Sequence, residues 1–448
     1  MARGCACPAR GLGAPIPCRR WSREEFFGQP CRRPYARAFM SEAGPTELTF
    51  RYERFRAVTA GIIETAGTTF LLLIAVRWFH AGATAKAMLA AGSSIGLLLS
   101  PLVVSLVSRR QWPAAQAAAR VFWVGASAFA LAAILPALPV FVLLSTLAMT
   151  CSAAVLPLLT QIYQDNYPAA RRGRLFSQTF IIRIATAVLF SWLAGEFLSR
   201  WLEWYRVLLV LFALSFTVGG WCMARIPSRP IWNDGGSHPL RAMRFAREDA
   251  LFRRTLVSWM ILGFANLMML PLRVEYLANS AHGLLLTVAT VTLLSEVIPN
   301  IARLCMSPIW GWLFDHMNFF ALRALLNLGF AIGIVAFFVG DSTAGLVIGA
   351  VVYGMSRAGG DVAWSLWVTK LAPPDRVADY MSVHTCLTGV RGVLAPAVAF
   401  YALQHFSLEA MGWFSAGLMV LATVLLLPEI KSLRARREGQ PLVEEVSE

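Results

Sequence analysis

The chain has 448 residues, of which 57% are hydrophobic and only 15% charged. Soluble domains carry roughly a quarter charged residues, and no polar stretch here is long enough to build a soluble core, so a bilayer takes that role. The net charge of +15, from 40 Lys and Arg against 25 Asp and Glu, falls in short turns between apolar runs; it reads as positive loops at a membrane face and excludes a nucleic-acid surface.

Residues 1–50 are rich in Arg, Gly, Pro and Cys and show no apolar periodicity. They lack the continuous apolar run of a secretory signal. Met40 opens MSEAGPTELTFRYERFRA, an ordinary polar N-terminus. It is expected to be the true start, with 1–39 outside the native protein. Four cysteines (Cys5, Cys7, Cys18, Cys31) lie in this leader, and Cys151, Cys222, Cys305 and Cys386 stand singly in apolar runs. No CxxC occurs, so neither a disulfide framework nor a metal site is expected.

Twelve apolar spans of about 20 residues follow, each long enough to cross a bilayer as a helix. The first six are Ala57–Phe79, Ala87–Val107, Pro113–Leu135, Val140–Ile162, Leu175–Leu198 and Val207–Ala224. After the basic segment Arg225–Arg254 come Thr255–Tyr276, Leu284–Phe314, Ala321–Val339, Ala344–Val368, Tyr380–Leu403 and Met411–Leu427. The expected organisation is a leader at 1–54, six-helix bundles at 55–224 and 255–428, a linker loop at 225–254 and a charged tail at 429–448. Arginines crowd the central loop and the turns holding Arg109, Arg171 and Arg376, whereas the alternate turns carry few basic residues: Arg77, Lys86, Arg200 and Arg206, then none in NSAHG, GDST and QHFSLE. That bias predicts both termini and the central loop in the cytoplasm.

The halves echo each other. SPLVVSLVSRR from Ser100 matches SPIWGWLFDHM from Ser307 in place, and Phe55-Arg56 and Phe252-Arg253 open the two bundles. The eighth span leaves the bilayer through Gly311-x-Leu313-x-Asp315, followed by Arg323. The twelve-span pattern, the basic central loop and this pentad together resemble the major facilitator superfamily of secondary transporters, over roughly residues 50–430. The resemblance implies an all-α polytopic membrane protein of two six-helix halves. It also implies a gating latch at Gly311, Asp315 and Arg323. The first-half copy of the pentad is degraded, with Val104 and Ser108 where Gly and Asp would stand.

A charge at the bilayer centre costs about 2.5–3.5 kcal/mol on insertion scales, so each needs a partner or water. Such residues are Glu64, Arg120, Arg183, Glu296, Arg303, Arg357, Asp361 and Arg391, with His384 near one end of the eleventh span. The sixth, ninth and twelfth spans are read as lipid-facing and free of central charge. Glu296, Asn300 and Arg303 share one helical face at i, i+4 and i+7, and His384, Thr388 and Arg391 repeat that stripe. Arg357 and Asp361, at i and i+4, either neutralise each other or join the site. Arg391 is expected to pair with Glu296 from the same half. Glu64, Glu296, Asn300, Arg303, Arg357, Asp361 and Arg391 form the expected solute and proton pathway. The excess of one arginine suits an anionic or carboxylate-bearing solute.

No P-loop, HExxH or histidine cluster is present, so neither P-loop ATP chemistry nor enzymatic catalysis is expected, nor any cofactor. The expected function is secondary active transport of a small solute by alternating access, driven by protons, in a plasma (bacterial inner) membrane, by a monomer. An uncoupled facilitator and a non-transporting sensor or scaffold are the alternatives.

Overall fold

In a bilayer the backbone must satisfy its own donors and acceptors, so long apolar runs become helices. The computed structural model describes residues 44–230, 239–340, 342–372 and 377–428; the expected start at Met40 and the tail at 429–448 lie outside them. Twelve long helices occur among the described residues. Helix α1 is built of Pro45–Thr65, a π turn Ala66–Phe70 and Leu71–Arg77. Then come α2 (Ala83–Arg109), α3 (Ala114–Ile134), α4 (Leu138–Ala154 and Leu156–Asn166), α5 (Ala169–Arg200) and α6 (Tyr205–Arg225). The second six are α7 (Ala250–Ala278), α8 (Val288–Thr292, a π turn Leu293–Val297, and Ile298–His316), α9 (Phe319–Phe338), α10 (Thr343–Leu371), α11 (Val377–Ala402) and α12 (Leu408–Val424). Ten are long and apolar enough to cross a membrane, and α10 and the 17-residue α12 are the other two.

The first helix starts well before the expected Ala57. Pro45 in its first turn presets a helical φ, and Thr49 and Glu53 are buried on its inner side. Helix α4 breaks at Val155, just ahead of Pro157, whose missing N–H cannot continue the ladder. Between the halves, a linker helix Pro239–Glu248 buries Phe245, leaves Arg247 in solvent, and packs on α11 and α7.

The 6+6 repeat is visible in the packing. In the first half α3 packs on α6 and α4, α2 on α4, and α1 on α5 and α6; in the second, α9 packs on α12 and α10, α8 on α10, and α7 on α11 and α12. Each pairing thus has its counterpart six helices later. Across the halves α2 meets α11 and α5 meets α8, which the same exchange also relates. Helices α3, α6, α9 and α12 turn large apolar side chains outward, among them Trp123, Leu214, Leu328 and Phe414. Lipid covers such side chains without cost. Arg120 on α3 is exposed and lies 4.0 Å over the Trp112 ring. Near the start of α9, Arg323 is only 1% exposed and turns inward onto Trp259 of α7.

Successive helices run antiparallel, so the ends nearest the linker share one face, here the linker face, opposite a far face. On the far face Lys86 of α2 is paired with Glu275 of α7 at 2.5 Å, with side chains 8% and 0% exposed. There Arg77 also donates to the Leu286 carbonyl, and the Thr84 and Tyr401 hydroxyls meet at 2.7 Å. These contacts tie the halves together beyond the bundle's middle.

Candidate functional site

At mid-depth one carboxylate gathers three arginines from three other helices. Glu64 of α1 accepts from Arg183 Nε of α5 at 2.7 Å on one oxygen. On the other it accepts from Arg303 Nη1 of α8 at 3.0 Å and Arg357 Nη2 of α10 at 2.7 Å. Arg303 also gives Nε to Asp361 of α10 at 2.6 Å. Glu64 and Arg303 are shielded, at 6% and 3% side-chain exposure, whereas Arg183 and Asp361 remain about a third open, at 36% and 35%. The cluster is therefore sealed at its centre, and its most exposed members are Arg183 and Asp361. The Phe180 ring lies 5.0 Å from the Arg303 guanidinium and 6.0 Å from that of Arg183, an apolar wall beside the charges.

Two glycines allow this approach. A Cβ at Gly61, one turn before Glu64, would overlap the Arg183 carbonyl, and one at Gly354, one turn before Arg357, would overlap Pro299. Backbones touch at both places, so the short reach of Glu64 suffices to meet arginines on three neighbours.

The network continues toward the far face. Asn300 lies 3.3 Å from Arg303 through its Oδ1 and donates Nδ2 to Glu296 at 2.9 Å. Thr69 of α1 donates to the other Glu296 oxygen at 2.7 Å. Thr69 and Glu296 both sit in the π turns of α1 and α8, which touch each other. Such turns add a residue to one helical turn, shifting the side chains that follow, and are frequent at functional sites. Glu296 is 1% exposed, and none of the ion pairs among the described residues involves it.

The structure brings Glu64, Glu296, Asn300, Arg303, Arg357 and Asp361 into one chain of contacts. It separates Arg391. The expected pair with Glu296 is not formed: Arg391 donates to the Trp259 carbonyl, beside Gly263 on α7. Nor does Arg357 turn to Asp361; it reaches across the halves to Glu64, and Arg303 takes the Asp361 carboxylate. In the gating motif, Gly311 has open space around it; Asp315 stands in the last turn of α8, its side chain outside the described residues. Sequence reasoning left three partners unassigned: Arg183 on Glu64, Thr69 on Glu296, and the Lys86–Glu275 pair. Of these only Arg183 carried a signal, as a charge within a span.

The profile of the Major Facilitator Superfamily matches residues 283–446. The fold of the whole agrees. A crystal structure of a single-site variant of the nucleoside transporter NupG superimposes with a TM-score of 0.69 at 14% identity, covering 85% of this chain and 99% of that one. Residues 283–446 thus match that family in sequence, and the chain shares the fold of a transporter of this kind. Other structures with the superfamily's transporter fold are similar too. A D-xylose–proton symporter gives a TM-score of 0.61 at 16% identity, covering 86% of this chain and 95% of that one. The inward-open xylose transporter XylE from E. coli gives 0.58 at 16% identity, covering 85% and 94%. Among curated proteins none matches the sequence.

Proposed function

We propose that the protein is a secondary active transporter of a small anionic solute, with its site at the Glu64 cluster and its linker face in the cytoplasm. The observation that carries this reading is the ion-pair centre itself. Three guanidiniums face two carboxylates, Glu64 and Asp361, contributed by both halves of a fold that places substrate sites at the half interface. With Glu296 ionised the connected charges balance, and a proton taken up there leaves one positive charge for the solute; Arg183 and Asp361 are about a third exposed. Similar structures carry nucleosides or xylose, so the fold does not select the solute and the local charge must. A carboxylate solute would replace part of Glu64's hold on the arginines through bidentate hydrogen bonds. That exchange supplies the differential contact needed to bias the two facing states. Uptake of radiolabelled mono- and dicarboxylates into proteoliposomes, with neutral sugars and nucleosides as controls, tests the reading. Saturable uptake of a neutral solute, with none of any anion, would overturn it.

Proton coupling is assigned to Glu296. Its hydrogen-bond partners, Thr69 and Asn300, are neutral, so taking up a proton there breaks no ion pair. Thr69 belongs to the other half, so rocking the halves changes what the carboxyl meets. Glu296→Gln is expected to abolish solute accumulation driven by a pH gradient while sparing solute exchange. Accumulation retained by this variant would move coupling to Asp361, and no accumulation by the unaltered protein would leave it an uncoupled facilitator.

A further inference from the structure

The second half holds a buried polar cluster that the proposed transport site does not use. His384 of α11 is fully buried, and neither ring nitrogen has a hydrogen-bond partner. Its ring centroid lies 5.5 Å from that of Trp259 on α7 and 5.0 Å from that of Trp367 on α10. Arg323 of α9 approaches the same place. Its guanidinium carbon lies 3.4 Å from the Trp259 ring centroid, and its Nε and Nη2 are unpartnered. Two turns along α11 from His384, Arg391 spends Nη1 on the Trp259 carbonyl and leaves Nε without a partner. The indole N–H groups of Trp259 and Trp367 are also unpartnered.

The balance of this cluster differs from that of the Glu64 centre. Four helices bring N–H donors and two permanent positive charges to one buried place. Among the described residues no carboxylate pairs with either arginine. Buried donors are ordinarily hydrogen-bonded, and buried charges are ordinarily paired. His384 does not supply the missing charge: neutral, it offers a single acceptor, and protonated it would add a third positive charge. Aromatic stacking on Trp259 steadies the Arg323 guanidinium but leaves its edge donors unanswered. What the cluster lacks is negative charge with acceptor capacity in several directions. A halide supplies both in little space, and indole and guanidinium N–H groups suit it because it imposes no acceptor geometry.

We propose that Arg323, Arg391, His384 and the indole N–H groups of Trp259 and Trp367 form a binding site for a compact monovalent anion, with chloride as the reference ligand. The site lies within the second half, away from the interface at which the solute is proposed to bind. Its occupant would tie α7, α9, α10 and α11 together as the halves rock.

The test uses the full-length protein in detergent, with sodium chloride or bromide replacing sodium gluconate at constant ionic strength. A saturable rise in melting temperature is expected with chloride, and a saturable change in tryptophan fluorescence with bromide. Arg323→Leu and Arg391→Gln should each weaken the apparent halide affinity at least tenfold. Should either variant fail to fold, crystals of the unaltered protein grown in bromide decide the matter: an anomalous peak among these side chains supports the site. A response to halide no different from that to gluconate would overturn it. So would saturation unchanged in both variants, or bromide peaks elsewhere only.

Discussion

Glu64→Ala should remove transport and lower the melting temperature of the purified protein. The carboxylate is 6% exposed and answers three guanidiniums. Removing one partner of a buried ion pair costs about 3–5 kcal/mol, because the other charge is left uncompensated. With a tenfold change for each 1.4 kcal/mol, the loss corresponds to roughly a hundredfold or more in any equilibrium that depends on the assembled centre. Lost stability alone would not distinguish a structural knot from a solute site. The double variant Glu64→Met with Arg357→Met separates them, since it removes one charge of each sign. Replacing both members of a buried pair by apolar residues of similar size is often nearly neutral for stability; Arg303 keeps Asp361, and Arg183 is already a third exposed. The expected outcome is a melting temperature close to that of the unaltered protein, with solute exchange still absent. Recovered exchange in the double variant would make the cluster a structural feature and move the solute site elsewhere.

Lys86→Met should open the far face. In the structure Lys86 neutralises Glu275, whose side chain is 0% exposed and otherwise accepts from Asn279. Without the lysine the far-closed arrangement holds a buried carboxylate with only a neutral partner. The state in which α2 and α7 separate gives that carboxylate access to water. A penalty of about 3 kcal/mol would shift a balanced population by roughly a hundredfold toward the far-open state. A cysteine placed at Thr292, which packs against Gly195 across the halves, reports the change in a background without other reactive cysteines. Its labelling by an impermeant maleimide from the far side should rise in Lys86→Met and fall back in Lys86→Glu with Glu275→Lys. Equal labelling in all three proteins would show that the pair is not a lock.

Much of this architecture was legible before any coordinates. Twelve apolar runs, their charge-bearing turns and the paired SP segments require only hydropathy and period, because a bilayer permits few backbone solutions. The face shared by Glu296, Asn300 and Arg303 is a consequence of helical spacing, and the three do form a chain of contacts. Partner choice was less legible. Depth along the chain favoured Arg391 for Glu296, yet helix rotation turns Arg391 toward α7. Spacing favoured Arg357 for Asp361, yet a closer carboxylate stands across the interface. The start of α1 was missed because its first turns bury polar side chains such as Thr49 and Glu53, which read as solvated.

The sequence by itself determined that the chain is helical, crosses a membrane many times and keeps ionisable residues inside it, since composition and period settle where a segment can be stable. Only the tertiary structure decided which charges meet. Ion pairing depends on helix rotation and on contacts of a few ångströms between residues far apart in the chain, such as Glu64 with Arg303 and Arg357. Those contacts rest on backbone approach at Gly61 and Gly354 and on the π turns of α1 and α8, and hydropathy carries no record of either.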